Sequence, residues 1–155
     1  MINILGLPVH PLIVHATVIT VPAAAVGVAL AAIWPRFRRW IAWGPAAAAL
    51  LALVLVPLTT SSGESLQAQL PHEALIQQHA RLADGLLPWV IGLAVTAVAG
   101  WWMHGLAGRF QPRRPVPRGL LLVVTVLAVA AAIGTLVEVV LIGHSGAAAA
   151  WTPGA

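Results

Sequence analysis

This sequence contains no cysteine, lysine or tyrosine, and charged residues of any kind are scarce. Without cysteine, the chain itself can form no disulfide, thiolate metal site or iron–sulfur cluster, and it cannot attach haem covalently through a Cys-x-x-Cys-His motif. Only 8% of its 155 residues are charged, whereas 60% are hydrophobic. Such a chain has too few charges to solvate the surface of a soluble domain. The composition therefore predicts an integral membrane protein.

The positive charge comes entirely from eight arginines, which outnumber the four acidic residues and give a net charge of +4. In so apolar a chain, this excess is expected to set membrane orientation and not to bind nucleic acid. Seven of the eight arginines fall in two short segments, 36–39 and 109–118. Positively charged short loops stay in the cytoplasm. The opposite side, with both termini, is therefore predicted to face the periplasm or exterior of a bacterial inner membrane.

Four apolar runs are long enough to cross about 30 Å of hydrocarbon. They cover residues 11–34, 40–59, 85–106 and 119–143. We therefore predict a single multi-pass domain in the lipid bilayer, an all-α integral membrane four-helix bundle with both termini on the outer face. The polar segment 60–84 is predicted to form its outer loop.

Ionisable residues are predicted to converge at one end of this bundle. If the spans alternate in direction, the outer leaflet receives His10, His15, Glu64, His72, Glu73, His79, Glu138 and His144. Of the six histidines, only His104 is predicted at the opposite end, where seven of the arginines also lie. An ionisable group inside hydrocarbon costs about 2.5 kcal/mol or more and usually faces a partner. Each residue alone could be an interfacial or helix-capping group, but their convergence predicts a ligand site.

A b-type cytochrome is the first hypothesis for this site. Haem b needs neutral imidazoles from facing helices and an apolar slot for the macrocycle. His15 and His79 are the preferred axial pair, because both lie beside spans with small-residue faces; His144 is the next choice, followed by His10. Arg81, the only outer arginine, could meet a haem propionate. The expected role is electron transfer between a quinone pool and an outer-face redox partner, alone or within a larger membrane complex.

A non-haem metal site is the second hypothesis, since mixed histidine and carboxylate ligation suits zinc, copper or iron. Its candidate ligands are His10, His15, His79, His144, Glu64 and Glu138. The third hypothesis is a structural subunit of a membrane complex that holds no ligand. With open coordination, the metal site of the second hypothesis could belong to an enzyme or a metal-handling protein, but the chain is expected to be an electron-transfer or binding subunit more than a stand-alone enzyme.

Several short motifs support a family resemblance. They are His10-Pro11-x-x-Val14-His15, Ser62-Gly63-Glu64, His79 before the third span, and Glu138 followed by Gly143-His144-Ser145-Gly146-Ala147 and Trp151. Over nearly its whole length the chain resembles a family of small bacterial four-span membrane proteins that is catalogued as a domain of unknown function. Some members of that family are joined to Rieske-type iron–sulfur domains. The resemblance implies the four-span fold, important histidines and membrane redox work, and it names no ligand.

Overall fold

Helices make up nearly all of the described part of the chain. The structure is a computed structural model that describes residues 3–4, 7–68, 74–105, 112 and 115–151, with residues 3–4, 7–12, 149 and 150 described by their backbone alone. Two short strands, β1 (Asn3–Ile4) and β2 (Leu7–Pro8), pair antiparallel. The helices are α1 (Val9–Ile33), α2 (Pro35–Ile41), α3 (Gly44–Gln67), α4 (Ala74–Met103) and α5 (Arg118–Trp151).

Four of these helices are long and apolar enough to cross a membrane. Their candidate spans are Ile13–Ile33, Gly44–Gln67, Ala74–Met103 and Arg118–Ala148. Large apolar side chains cover the outside of the bundle; Ile19 is 72% exposed and Val140 is 68% exposed. Lipid accommodates such a surface, whereas water does not. The predicted all-α four-helix membrane bundle is confirmed.

The four spans form a ring around a core of small side chains. α1 packs against α3 and α5, and α4 packs against α5 and α3, which gives the order α1, α3, α4, α5 around the bundle. Ten of the sixteen buried hydrophobic residues are alanine. Small side chains let helix backbones approach closely, which matters in lipid because no hydrophobic force drives the helices together there.

The bundle has two unlike ends. At the end that we call the cavity end, the start of α1, the end of α3, the start of α4 and the end of α5 meet. At the opposite end, which we call the arginine end, α2 joins α1 to α3. Arg38 of α2 donates hydrogen bonds to the carbonyl oxygens of Ala31 (2.8 Å) and Ala32 (3.3 Å). These carbonyls belong to the last turn of α1, which has no helical donors left for its acceptors, so Arg38 ties α2 to the bundle.

The polar segment after the second span is more helical than the sequence predicts. α3 continues to Gln67 and α4 begins at Ala74, so every described residue in the predicted outer loop 60–84 except Ala68 is helical. Hydroxyl side chains in the last turns of α3 donate to carbonyl oxygens three or four residues earlier. These bonds satisfy polar side chains without ending the helix. Residues 69–73 lie outside the described residues.

The third and fourth spans also extend further than predicted. α4 has 30 residues and α5 has 34. At about 1.5 Å per residue, these helices are roughly 45 Å and 51 Å long, more than the hydrocarbon thickness of about 30 Å. Helical structure therefore carries their polar ends past the hydrocarbon, and hydropathy alone does not show where such helices end.

Candidate functional site: a cavity between the four spans

A cavity of about 480 Å³ opens between the four spans at the cavity end. Most of its wall is apolar, with contributions from all four spans. The polar side chains in the wall are Thr17, Thr59, Thr60, Gln67, His79 and Asp84. Small-molecule sites typically have volumes of about 300–1,000 Å³, apolar walls and a few convergent polar groups. This cavity is therefore the candidate ligand site.

His79 of α4 is the histidine in the described wall of this cavity. Its ring is half-buried, and its Nδ1 lies 3.1 Å from the Oγ of Ser145 on α5. Ser145 is 7% exposed and donates to the carbonyl oxygen of Ile142 at 2.9 Å. Because a hydroxyl has one proton, the bond between His79 and Ser145 is donated by Nδ1–H. In the neutral ring, Nε2 then keeps its lone pair, and it has no partner among the described residues.

Gly146 of α5 leaves the space that the His79 ring occupies. A Cβ at this position would lie 3.1 Å from Cε1 of His79 and 3.3 Å from its Nδ1, closer than side chains normally approach. Gly143 lines the same cavity, yet a Cβ there would meet nothing within 4 Å. A side chain at position 146 would therefore require the imidazole to shift by a few tenths of an ångström, whereas a Cβ at position 143 would require no adjustment.

Two threonines connect α1 to α3 at the same end. The Oγ1 atoms of Thr17 and Thr59 lie 2.7 Å apart. Each hydroxyl also lies close to a carbonyl oxygen of its own helix, at 3.0 Å and 2.8 Å. One hydroxyl therefore donates across the helix interface while the other donates within its helix. Together with the bond between His79 and Ser145, this contact ties the spans in pairs around the cavity.

Glu138 lies in the interface between α4 and α5 and is not part of the described cavity wall. Its Oε2 is buried and has no hydrogen-bond partner among the described residues. Gly85 of α4 lies next to the carboxyl group; a Cβ there would lie 3.5 Å from Oε1, an ordinary van der Waals distance. The neighbouring residue Val139 does line the cavity. The Glu138 carboxyl is therefore positioned beside the site.

His15 and His144 are the predicted partners of His79, but they do not lie in the cavity wall with it. Both are exposed, and neither belongs to the cavity wall. Helical rotation explains the difference, since successive residues are about 100° apart around the axis. Thr17 and Ser145, close in sequence to these histidines, take the interior positions and are each 7% exposed. The structure does not assemble the predicted axial pair of His15 and His79 around the cavity.

The other predicted site residues are also dispersed. Glu64 is exposed near the end of α3, and Arg81 is exposed and lines a separate hollow along α4. Within the described ranges, no three histidine, aspartate or glutamate side chains form a group that could hold a metal ion. The side chain of His10 lies outside the described residues, as do His72 and Glu73.

The arginine end encloses far less space. Its cavity has a volume of about 40 Å³, enough for a few water molecules at most. Arg38 and His104 line it. His104 follows the last residue of α4, and Gly105, with a φ of 72°, ends the helical path. Burial lowers the pKa of His104, and the charge of Arg38 lowers that pKa further, so the neutral imidazole is favoured there.

Four site residues had no assigned role in the sequence-based prediction: Ser145, Gly146, Thr17 and Thr59. The two threonines could have been predicted from the sequence, because a hydroxyl within an apolar span often bonds across a helix interface. Ser145 and Gly146 stand in the motif that follows Glu138. Their sequence positions do not reveal that Ser145 faces α4, since that depends on how α5 is rotated in the bundle.

The fold and the cavity together define the class of this protein. It is a multi-pass membrane protein whose four spanning helices enclose a ligand-sized cavity at one end. No family model matches the chain, and neither a curated protein nor a solved structure matches it. The resemblance to small four-span bacterial membrane proteins stays a prediction.

Proposed function

We propose that this protein binds a largely apolar ligand in the cavity, with His79 as its polar anchor. The observation that carries the proposal is the imidazole in the cavity wall, whose Nδ1 is held by Ser145 and whose Nε2 has no partner among the described residues. Such an imidazole can ligate a metal centre or accept a hydrogen bond. Its orientation is fixed before the ligand arrives, which favours binding.

Haem b is the ligand that we propose first. The macrocycle needs apolar walls between facing helices and a neutral imidazole for its iron, and the cavity has both. His79 would hold the iron through Nε2, while Ser145 would keep the ring oriented by accepting a hydrogen bond from Nδ1–H. The described wall contains one histidine, so it fits one protein ligand and not the predicted pair. Bound haem would supply one-electron chemistry, as in an electron-transfer protein or subunit.

A quinol is the second candidate, and the single histidine in the described wall favours it. A quinol is apolar and uncharged, so it needs no second axial ligand and no cation for a propionate. Nε2 of His79 would accept a hydrogen bond from one quinol hydroxyl. The alternative of a zinc, copper or non-haem iron site held by histidines and glutamates gains no support from the described residues, because no group of three such ligands is assembled there.

We also propose that the cavity end faces the periplasm or exterior. Seven of the eight arginines follow the first and third spans in the sequence, and the four of these that the structure describes, Arg36, Arg38, Arg39 and Arg118, lie at the opposite end of the bundle. Arginine-rich short connections remain on the cytoplasmic side during insertion. A soluble or membrane-bound redox partner would then approach the cavity from outside the cytoplasm.

The ligand can be identified on tag-free protein purified in mild detergent, because a polyhistidine tag would itself bind haem. Oxidised and dithionite-reduced absorption spectra, metal analysis and quinone extraction are made on the same sample. A Soret band with sharp reduced α and β bands supports haem b, and one extracted quinone per chain without that chromophore supports the quinol. If neither ligand is present and neither binds when it is added, the proposal fails and a structural subunit becomes the better interpretation.

A further inference from the structure

The outer face of α2 is a surface that the cavity ligand does not use. Arg36 and Arg39, three residues apart in this helix, are both exposed, and Trp40 beside them is 78% exposed. Phe37 and Ile41 lie on the opposite side of the helix and are half-buried. α2 is therefore a short amphipathic helix whose outer face is basic and aromatic.

The direction of this face is fixed by contacts on the inner side of α2. Arg38 donates to two carbonyl oxygens at the end of α1. The rings of Trp34 and Phe37 stack with their centroids 6.2 Å apart, and those of Phe37 and Trp40 are 6.0 Å apart. The guanidinium group of Arg38 therefore bonds within the protein, whereas Arg36 and Arg39 are exposed.

The described acidic residues lie far from this face. Of the four in the sequence, Glu64, Asp84 and Glu138 belong to the cavity halves of α3, α4 and α5. The fourth, Glu73, lies outside the described residues and directly precedes α4 in the chain. The three described side-chain carboxylates are thus placed away from α2, so none of them pairs with its exposed arginines, which remain available to an anionic group of another molecule.

We propose that Arg36 and Arg39 bind the phosphate groups of anionic phospholipids. α2 connects two membrane spans, so its outer face lies where lipid headgroups surround the protein. Guanidinium groups bind phosphate oxygens through two parallel hydrogen bonds. The exposed Trp40 favours lipid over free phosphate, because indole rings prefer the boundary between headgroups and hydrocarbon. This inference does not depend on which ligand occupies the cavity.

The test compares the wild-type protein with an Arg36→Gln/Arg39→Gln double variant and with Arg81→Gln, which removes an exposed arginine at the cavity end. Native mass spectrometry measures the affinity for phosphatidylglycerol relative to phosphatidylcholine in neutral detergent. An arginine near an anionic lipid surface contributes about fivefold to binding. We expect the preference for phosphatidylglycerol to fall by about that factor for each arginine removed from α2, and to remain in Arg81→Gln.

Thermal unfolding of each variant shows whether it is folded. If the double variant does not purify as a folded protein, Arg39→Gln alone replaces it, with the same expected direction. An unchanged preference for phosphatidylglycerol in the α2 variant would overturn the proposal. So would an equal loss in Arg81→Gln, because the effect would then report the total charge of the protein and not a site on α2.

Discussion

The two ends of the bundle are built from the same four helices, yet one encloses about 480 Å³ and the other about 40 Å³. At the arginine end, small residues bring the backbones together; a Cβ on Gly27 of α1 would lie 3.9 Å from Pro45 of α3. At the cavity end, side chains such as Thr17 and Thr59 meet across the gap between helices. Close backbone packing thus closes one half of the bundle, while side-chain hydrogen bonds hold the other half around an open space.

The two described half-buried histidines lie at opposite ends of the bundle, and their surroundings differ as the two ends do. His79 faces the large cavity, and its Nδ1 is engaged by Ser145, so that Nε2 remains for a ligand. His104 lines the small cavity beside the cationic Arg38. A cation next to an imidazole disfavours a second positive charge on that ring or bound to it. We therefore assign ligand binding to the cavity end and a packing role to His104.

Among the changes that leave the His79 side chain in place, removal of the Ser145 hydroxyl should have the largest effect. Ser145→Ala leaves Nδ1 of His79 without its acceptor, so the ring loses its fixed orientation. Groups that orient a metal-binding histidine typically contribute about 10- to 100-fold to affinity. We expect a loss in that range in the dissociation constant for haemin, measured from the Soret band. Ser61→Ala is the matched control, since Ser61 is exposed and bonds only to a carbonyl oxygen of its own helix; an equal loss there would contradict the role of Ser145.

A methyl group at position 146 should give the next largest effect. Gly146→Ala places a Cβ 3.1 Å from the His79 ring, so the ring must shift by a few tenths of an ångström, which disturbs its hydrogen bond to Ser145. Overpacking typically costs about 1–3 kcal/mol; a cost of about 1.4 kcal/mol to the ligand-bound state corresponds to tenfold weaker ligand binding. Gly143→Ala should bind like the wild type, because its Cβ meets nothing within 4 Å. The same haemin titration checks both variants, and equal affinities for the two would show that the close approach at Gly146 has no importance.

The smallest expected effect is a pH dependence of thermal stability that arises from His104 at the arginine end. Burial, and then Arg38, lower the pKa of His104 below its ordinary value of about 6.5. As the pH falls below that value, the unfolded chain takes up a proton that the folded protein does not, so stability falls. We expect the thermal unfolding temperature of ligand-free protein to decrease between about pH 7 and pH 5, and to decrease less in His104→Gln. An identical decrease in the variant would exclude His104 as its source.

The sequence predicts the fold well because hydropathy is the dominant signal in a membrane protein. Runs of apolar residues identify the four spans, and short connections require the spans to alternate in direction. The sequence predicts helix ends less well, since the hydroxyl-rich end of α3 and the polar start of α4 remain helical. Serine and threonine satisfy their hydroxyls within a helix, so polarity there does not mark a loop.

The candidate site is predicted only in part. His79 is recognised from the sequence because it stands at the predicted entrance of a span, and the structure places it in the cavity wall. The role of Ser145 is missed because it depends on the rotation of α5, which turns Ser145 inward and leaves the adjacent His144 exposed. The depth of a residue in the membrane can be counted along its helix. The direction in which its side chain faces depends on how that helix packs against the other spans.

The most direct test of the central claim compares ligand occupancy in His79→Ala and His104→Ala, each purified without a tag and shown to be folded. Occupancy per chain is measured on the native ligand, as haem from the reduced spectrum or as quinone after extraction. The account predicts wild-type occupancy in His104→Ala and a loss of at least about tenfold in His79→Ala. Wild-type occupancy in His79→Ala would contradict it and would place the ligand away from the cavity.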